Sequence, residues 1–356
     1  MCSTDCVPRE SIASLSAMAS QETILEYKLL LACCTILMVI SLCLSVANLV
    51  SIVILSRGRC GLSTCVTHYL VAMSVADLMV IIIAVIFYRI IPSYFRNPFV
   101  SITPVCRALM VLSASTSAMS VWFTVAFTFD RYVAICCQNL KAKYCTKKTC
   151  STLIVVLSAI FFAQNIPWCF AVEPQYIVND IPWECVYYTL ATWKAFERLQ
   201  RVVAPIFGFA MICLFNALII RQILIVSKVR RRLRDQRNEQ KTIDPKLENR
   251  KKSVNLLFAI SGSFILLWTT FVVYSLKWQL SNFNYSETFV NTRPFIVQES
   301  GIMLQRLSSC INPCIYGLTQ TKVALRCLLA FDLRPCPPPS QTRHRARAEN
   351  TESLSP

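Results

Sequence analysis

The sequence predicts an all-α membrane protein: a seven-transmembrane helix bundle followed by a short amphipathic eighth helix. Three observations carry this. Of 356 residues, 55% are hydrophobic and only 15% charged, with a mean hydropathy of +0.50, whereas a soluble domain averages about 25% charged residues. Seven apolar runs, at about 28–55, 67–91, 105–137, 150–172, 199–227, 253–278 and 295–318, are each long enough to cross a hydrocarbon core of about 30 Å as a helix. The basic residues behind the net charge of +17 fall between the runs, as in cytoplasmic loops, rather than on one polar domain. That distribution argues against a nucleic-acid partner.

Residues 1–27 form an extracellular N-terminal tail with Cys2 and Cys6. It lacks the basic n-region and apolar core of a cleaved signal peptide, so the first span of the seven-span domain at 28–318 serves as the insertion signal. The first span carries Asn48, and the second carries Asp77 and Arg89. The third opens on Cys106 and closes on Asp130-Arg131-Tyr132; from Cys106 to Arg131 a helix rises about 37 Å. One helix thus holds a cysteine at one surface and an Asp-Arg pair at the other. Ionisable groups there cost free energy unless paired, which marks them as functional. The fourth span is apolar, and the fifth has Glu197, Arg198 and Arg201 near its outer end, then Pro205. The sixth carries Phe264, Trp268 and Phe271, and the seventh Glu299, Arg306, Ser308, Ser309 and Asn312-Pro313-Cys314-Ile315-Tyr316.

Orientation follows from the loops. Arg57 and Arg59, the lysines from Lys141 to Lys148, the basic stretch from Lys228 to Lys252 and the Arg-rich tail share one face, which is therefore cytoplasmic. The N-terminus lies outside a plasma membrane, and the sequon Asn284-Tyr285-Ser286 falls on the outer side. The third cytoplasmic loop, about 228–252, reads as helical extension around a flexible middle at Asp244-Pro245. Residues 319–331 alternate apolar and basic side chains as an interfacial helix does, with Cys327 a candidate palmitoylation site. Residues 332–356 read as a disordered cytoplasmic tail. Most of the 19 cysteines sit in apolar runs as small hydrophobes. With only His68 and His344 and no nucleophile or metal-ligand constellation, the chain is not read as an enzyme.

The ordered set Asn48, Asp77, Asp130-Arg131-Tyr132, Pro205, Phe264, Trp268 and Asn312-Pro313-Cys314-Ile315-Tyr316 resembles that of rhodopsin-like (class A) G-protein-coupled receptors over about 28–331. The resemblance implies an extracellular ligand, a heterotrimeric G protein as partner, and a Cys106–Cys185 bridge tying the second outer loop to the third helix. It makes Asp130, Arg131, Tyr132 and Tyr316 the G-protein coupling residues. Pro205, Val121, Phe264, Trp268, Asn312 and Pro313 become the activation switch. Asp77, Ser120, Ser309 and Asn312 match positions lining a mid-membrane sodium site; the other reading is a protonated Asp77 bonded to Asn48 and Asn312. No further cofactor is implied.

The chain departs from the family pattern in places. The acidic partner of the switch arginine on the sixth helix falls at Arg250, a cation, so the inter-helix lock is missing and ligand-free signalling is expected. No proline follows Trp268 two residues on; Thr269 and Thr270 stand there, so the helix kinks less, or through threonine side chains bonding to the backbone. Cys213 replaces an inner tyrosine of the fifth helix.

By family position the ligand pocket takes in Ser113, Trp268, Phe271, Glu197, Arg201, Arg89, Glu299 and Arg306. Ser113 stands where amine receptors carry Asp and Arg306 where opsins carry lysine, against an amine ligand or a retinal Schiff base. Arg306 either meets a ligand carboxylate or pairs internally with Glu299 or Asp77. The wording of the third and sixth spans is similar to the group named for G-protein coupled receptor 139, although Ser113 and Phe271 replace charged pocket residues of that group. An amino-acid-like or peptide ligand is favoured. The rival is a seven-span transporter or channel with Asp77 and Arg306 along its path; no internal repeat supports it.

Overall fold

In the computed structural model, the described residues are 21–57, 62–95, 99–187, 190–237, 245–280 and 292–319. The N-terminal tail up to residue 20, Asn284, the eighth helix with Cys327, the middle of the third cytoplasmic loop and the C-terminal tail lie outside them.

Seven long helices run in chain order: α1 Gln21–Ser56, α2 Thr64–Ile81, α3 Thr103–Cys136, α4 Lys147–Asn165, α5 Ala204–Arg237, α6 Pro245–Leu280 and α7 Thr292–Thr319. Six of these, with their irregular extensions, are long and apolar enough to cross a membrane. The seventh, α7, has 28 residues, about 42 Å at ~1.5 Å per residue. Its polar members Glu299, Arg306, Ser308, Ser309 and Asn312 are all buried, so they face protein and not lipid.

Proline explains the irregular turns. α2 continues as a π-helix over Ile82–Ile90 and a last turn at Ile91–Tyr94, and a π-helix at Leu199–Val203 joins Ala191–Arg198 to α5. Pro92 and Pro205 each lack a backbone donor and crowd the carbonyl four residues back, at Tyr88 and Arg201, inside those two wide turns. In α7 the same effect at Pro313 leaves the Ser309 carbonyl without its helical donor, and Asn48 Nδ2 of α1 donates to it at 3.0 Å. α6 has no internal proline; Thr269 Oγ1 donates to the Ile265 carbonyl at 2.6 Å, the threonine arrangement expected from the sequence.

α3 is the central post, packed against α2, α4 and α5, while α7 lies against α6, α1 and α2. α6 and α7 approach closely at Gly301, where an added Cβ would stand 3.0 Å from the Phe271 Cα. Small residues at such crossings let helices pack without a hydrophobic drive from lipid. One apolar cluster fills one half of the bundle around Tyr69, Phe127, Leu256 and Tyr316. A second joins α3, α5 and α6 through Val121, Phe264 and Trp268.

The chain after α4 forms the only strands among the described residues. β1 Val172–Glu173 pairs with β4 Val186–Tyr187, and β2 Tyr176–Val178 with β3 Ile181–Trp183. The β2–β3 turn, Asn179 and Asp180 at φ 52° and 61°, is the paired left-handed conformation that matches strand twist. Glu184 N donates to the Ser101 carbonyl at 2.6 Å, and Thr103 Oγ1 to the Glu184 carbonyl at 2.8 Å. Arg107 Nη2 donates to the Val172 carbonyl at 2.8 Å. The hairpin is thereby tied to the first turns of α3.

Candidate functional site

Three polar or aromatic stations lie along the bundle. At mid-membrane the fully buried Asp77 carboxylate accepts from Ser120 Oγ at 2.7 Å through Oδ1 and from Asn312 Nδ2 at 2.7 Å through Oδ2. α2, α3 and α7 are thus joined at one carboxylate, which at this depth needs donors or a cation. Asn48 reaches the same layer through the Ser309 carbonyl, not through Asp77.

Near the other end of α3, Arg131 Nε donates to Asp130 Oδ2 at 3.0 Å, and Nη2 meets the same oxygen. This is the resting pair expected of the Asp-Arg-Tyr motif. Tyr132 stacks on Phe215 of α5 with centroids 5.6 Å apart. The short loop helix Gln138–Tyr144 follows, and its cap Cys145 has a thiol pushed up to about 11, by burial first and then by the Asp130 carboxylate. Tyr144 of that loop helix meets Phe129 of α3 edge-on with ring centroids 5.4 Å apart, so the second loop rests against this end of α3. Tyr316 is fully buried. Cys213 is exposed on α5 and does not point into the bundle. The Arg250 side chain lies outside those described.

Between these stations, Trp268 stands 5.2 Å from Phe264 and 6.1 Å from Phe271 by ring centroids, in one apolar cluster with Val121. Pro205 is buried beside them. Above Trp268 lies an open cavity of about 120 Å³. Ser113, Val121, Trp268, Phe271, Arg201 and Pro205 line it, with Trp122, Phe161 and Trp168 as aromatic walls. A smaller cavity shares Ser113, Ser117, Trp268 and Gln305 with it and adds Ser120, Arg306 and Ser309. The smaller cavity lies between Trp268 and the Asp77 layer.

The other charged residues expected in the pocket lie elsewhere. Arg89 of the π-helical turn and Glu299 of α7, 3% and 2% exposed, form an ion pair with each other; neither lines the cavities. Glu299 thus has Arg89 as a partner, a pairing that the sequence reading did not include. Glu197 pairs with Arg201 at 3.1 Å on one helix face. Cys106 and Cys185 are buried in one cluster with Trp168 and Val172, and Cys185 Sγ lies 3.8 Å from the Thr103 carbonyl, one turn before Cys106. Sequence reading missed the carboxamides Gln164, Asn165, Gln200 and Gln305 along the cavity. Their signal was available: polar residues in or beside apolar runs.

A family model described as 7 transmembrane receptor (rhodopsin family) matches residues 47–316. The chain belongs to that family. It is therefore a multi-pass membrane receptor of class A, and not an enzyme. The receptor is 26% identical to the human growth hormone secretagogue receptor type 1 over 314 residues, 85% of this chain and 80% of that one. It is 26% identical to the human vasopressin V2 receptor over 366 residues, 94% and 92% of the two chains. It is 24% identical to the Drosophila melanogaster FMRFamide receptor over 307 residues, 80% of this chain and 51% of that one.

Proposed function

We propose that this receptor sits in the plasma membrane with its N-terminus outside, binds an extracellular amino-acid-like or peptide ligand in the cavity above Trp268, and promotes nucleotide exchange on a heterotrimeric G protein. The observation that carries this reading is that Trp268 belongs to both structures: it lines the cavity and packs on Phe264 in the cluster with Val121. An occupant that changes the Trp268 position acts directly on the contacts holding α6 to α3 and α5. A ligand shifts such an equilibrium by its differential affinity for the two arrangements.

Of the candidate ligands, a peptide is favoured by the relatives named for vasopressin and FMRFamide. On the other side, Asp130, Arg131, Tyr132 and Tyr316 with the basic stretch from Lys228 to Lys252 form the coupling face. A Cys106–Cys185 bridge is supported by their shared burial and by the hairpin tethers. The Asp77 layer suits a hard cation in its oxygen-rich lining: Asp77, Ser120 and Ser309 would hold an allosteric sodium ion, and the buried Asn48 Oδ1 beside them has no hydrogen-bond partner.

The test is to measure G-protein activation and solute uptake in the same cells for Arg131→Ala and Asp77→Asn. A receptor loses signalling with Arg131→Ala and shows no receptor-dependent uptake. Uptake or current that depends on Asp77 and survives Arg131→Ala would replace this reading with a transporter or channel.

A further inference from the structure

We infer that the loop between α3 and α4, together with the first turn of α4, binds the anionic headgroups of membrane phospholipids. This goes beyond the receptor reading and needs only that α3 and α4 cross a bilayer.

The charge of the stretch carries the argument. From Tyr132 to Val172 the charged residues are Lys141, Lys143, Lys147 and Lys148, with no aspartate or glutamate among them. All four lysines are exposed, and none is in an ion pair among the described residues. Like charges this close repel one another, and an anion brought from outside relieves the repulsion. They are lysines throughout. A compact ammonium on a flexible stem follows a mobile phosphate or carboxylate, whereas a planar guanidinium favours one fixed geometry.

Position selects lipid as the source of that anion. The connection runs only from Cys137 to Thr146, between two helices of membrane length, so it stays at the membrane surface. Lys148 opens a stripe of α4 that continues at helical spacing through Thr152, Val155, Ala159 and Phe162, all of them exposed. That stripe faces the hydrocarbon, and a lysine at its end lays its stem along lipid and its ammonium in the headgroup layer. Leu140 stands among the lysines on the helix Gln138–Tyr144 and is 54% exposed. An apolar side chain between cations is the pattern of a segment lying in the interface. An acidic protein surface would suit the charge, but it would not account for a lysine on the lipid-facing stripe.

In the orientation proposed above, this end of α3 meets the cytoplasmic leaflet, which is the anionic one. Headgroups that hold the loop also bear on the switch, because Tyr144 packs on Phe129, the neighbour of Asp130.

The experiment uses the purified full chain in phosphatidylcholine nanodiscs doped with phosphatidylserine or phosphatidylcholine bearing the same photoactivatable group near the headgroup. Labelled residues are mapped by mass spectrometry. A nanodisc offers both leaflets alike, so the result depends neither on orientation nor on G-protein coupling. The serine lipid is expected to label residues 138–152 at least about fivefold more than the choline lipid, the factor one lysine contributes near an anionic surface, and the preference is expected to shrink as salt is raised. Glutamine at all four positions (Lys141→Gln, Lys143→Gln, Lys147→Gln, Lys148→Gln) removes the preference, and arginine at all four keeps it. Equal labelling by the two lipids would overturn the inference, as would a preference that survives the four glutamines. If the preference is absent and the four glutamines still abolish G-protein activation in cells, the patch is a protein-docking surface and the lipid inference falls.

Discussion

At the scale of single residues, the buried Arg89–Glu299 pair is the clearest case of a partnership the sequence does not reveal. Each residue was visible as a charge in an apolar run, but helical spacing relates residues on one helix and says nothing about which charges meet across two. Removing one member takes this ion pair from the other, still buried, at a cost of about 3–5 kcal/mol. Glu299→Gln is therefore expected to lower the thermal midpoint and surface expression sharply, and Arg89→Met with Glu299→Leu to recover most of the loss. A double variant no better than the single one would mean that the two residues act separately. Cys145 gives a second prediction at this scale. Its thiol rises in the folded protein from the ordinary 9.0 to about 11. The unfolded chain thus loses this proton first, and the thiol's contribution to stability disappears as pH climbs from about 9 to about 11. Cys145→Ser should flatten the stability profile across that window, measured by thermal midpoint against pH.

At the scale of elements, each expected span falls on a helix, because one property, transfer into hydrocarbon, decides both. The helix ends were less legible. α5 reaches Arg237 and α6 begins at Pro245, well beyond the apolar runs, since backbone hydrogen bonding continues into polar sequence where hydropathy has no more to report. The two π-helical turns leave no trace in composition, yet each precedes a proline whose missing donor makes a wide turn tolerable. The α6–α7 crossing depends on Gly301. A valine there drives its side chain against the Phe271 backbone, and overpacking of this kind costs about 1–3 kcal/mol. Gly301→Val is expected to lower the thermal midpoint and to alter signalling, because α6 is the helix that carries Trp268. An unchanged midpoint and unchanged signalling would show that the crossing is loose.

At the scale of the whole molecule, the stations along α3 run from the cavity at Trp268 through the Asp77 layer to the Asp130–Arg131 pair near its far end. Asp77, Asp130, Arg131 and Trp268 were legible in the sequence as polar or aromatic residues where lipid-facing helices would not keep them. The carboxamide lining of the cavity was not, because it depends on how the helices are rotated about their axes. Arg131 pairs with Asp130 beside it, and the sixth-helix position at which the family resemblance leads one to expect an acid carries Arg250. An arginine that lacks a second acid across the helices is expected to be released more readily than one held by two.

The decisive measurement is ligand-free activation of a panel of heterotrimeric G proteins in cells at matched surface expression, for wild type, Arg131→Ala and Arg250→Glu. Wild type is expected to activate at least one subtype, Arg131→Ala to abolish that activity, and Arg250→Glu to reduce it several-fold. Activity that survives Arg131→Ala, or that is unchanged by an acid at position 250, would contradict the account of the cytoplasmic switch.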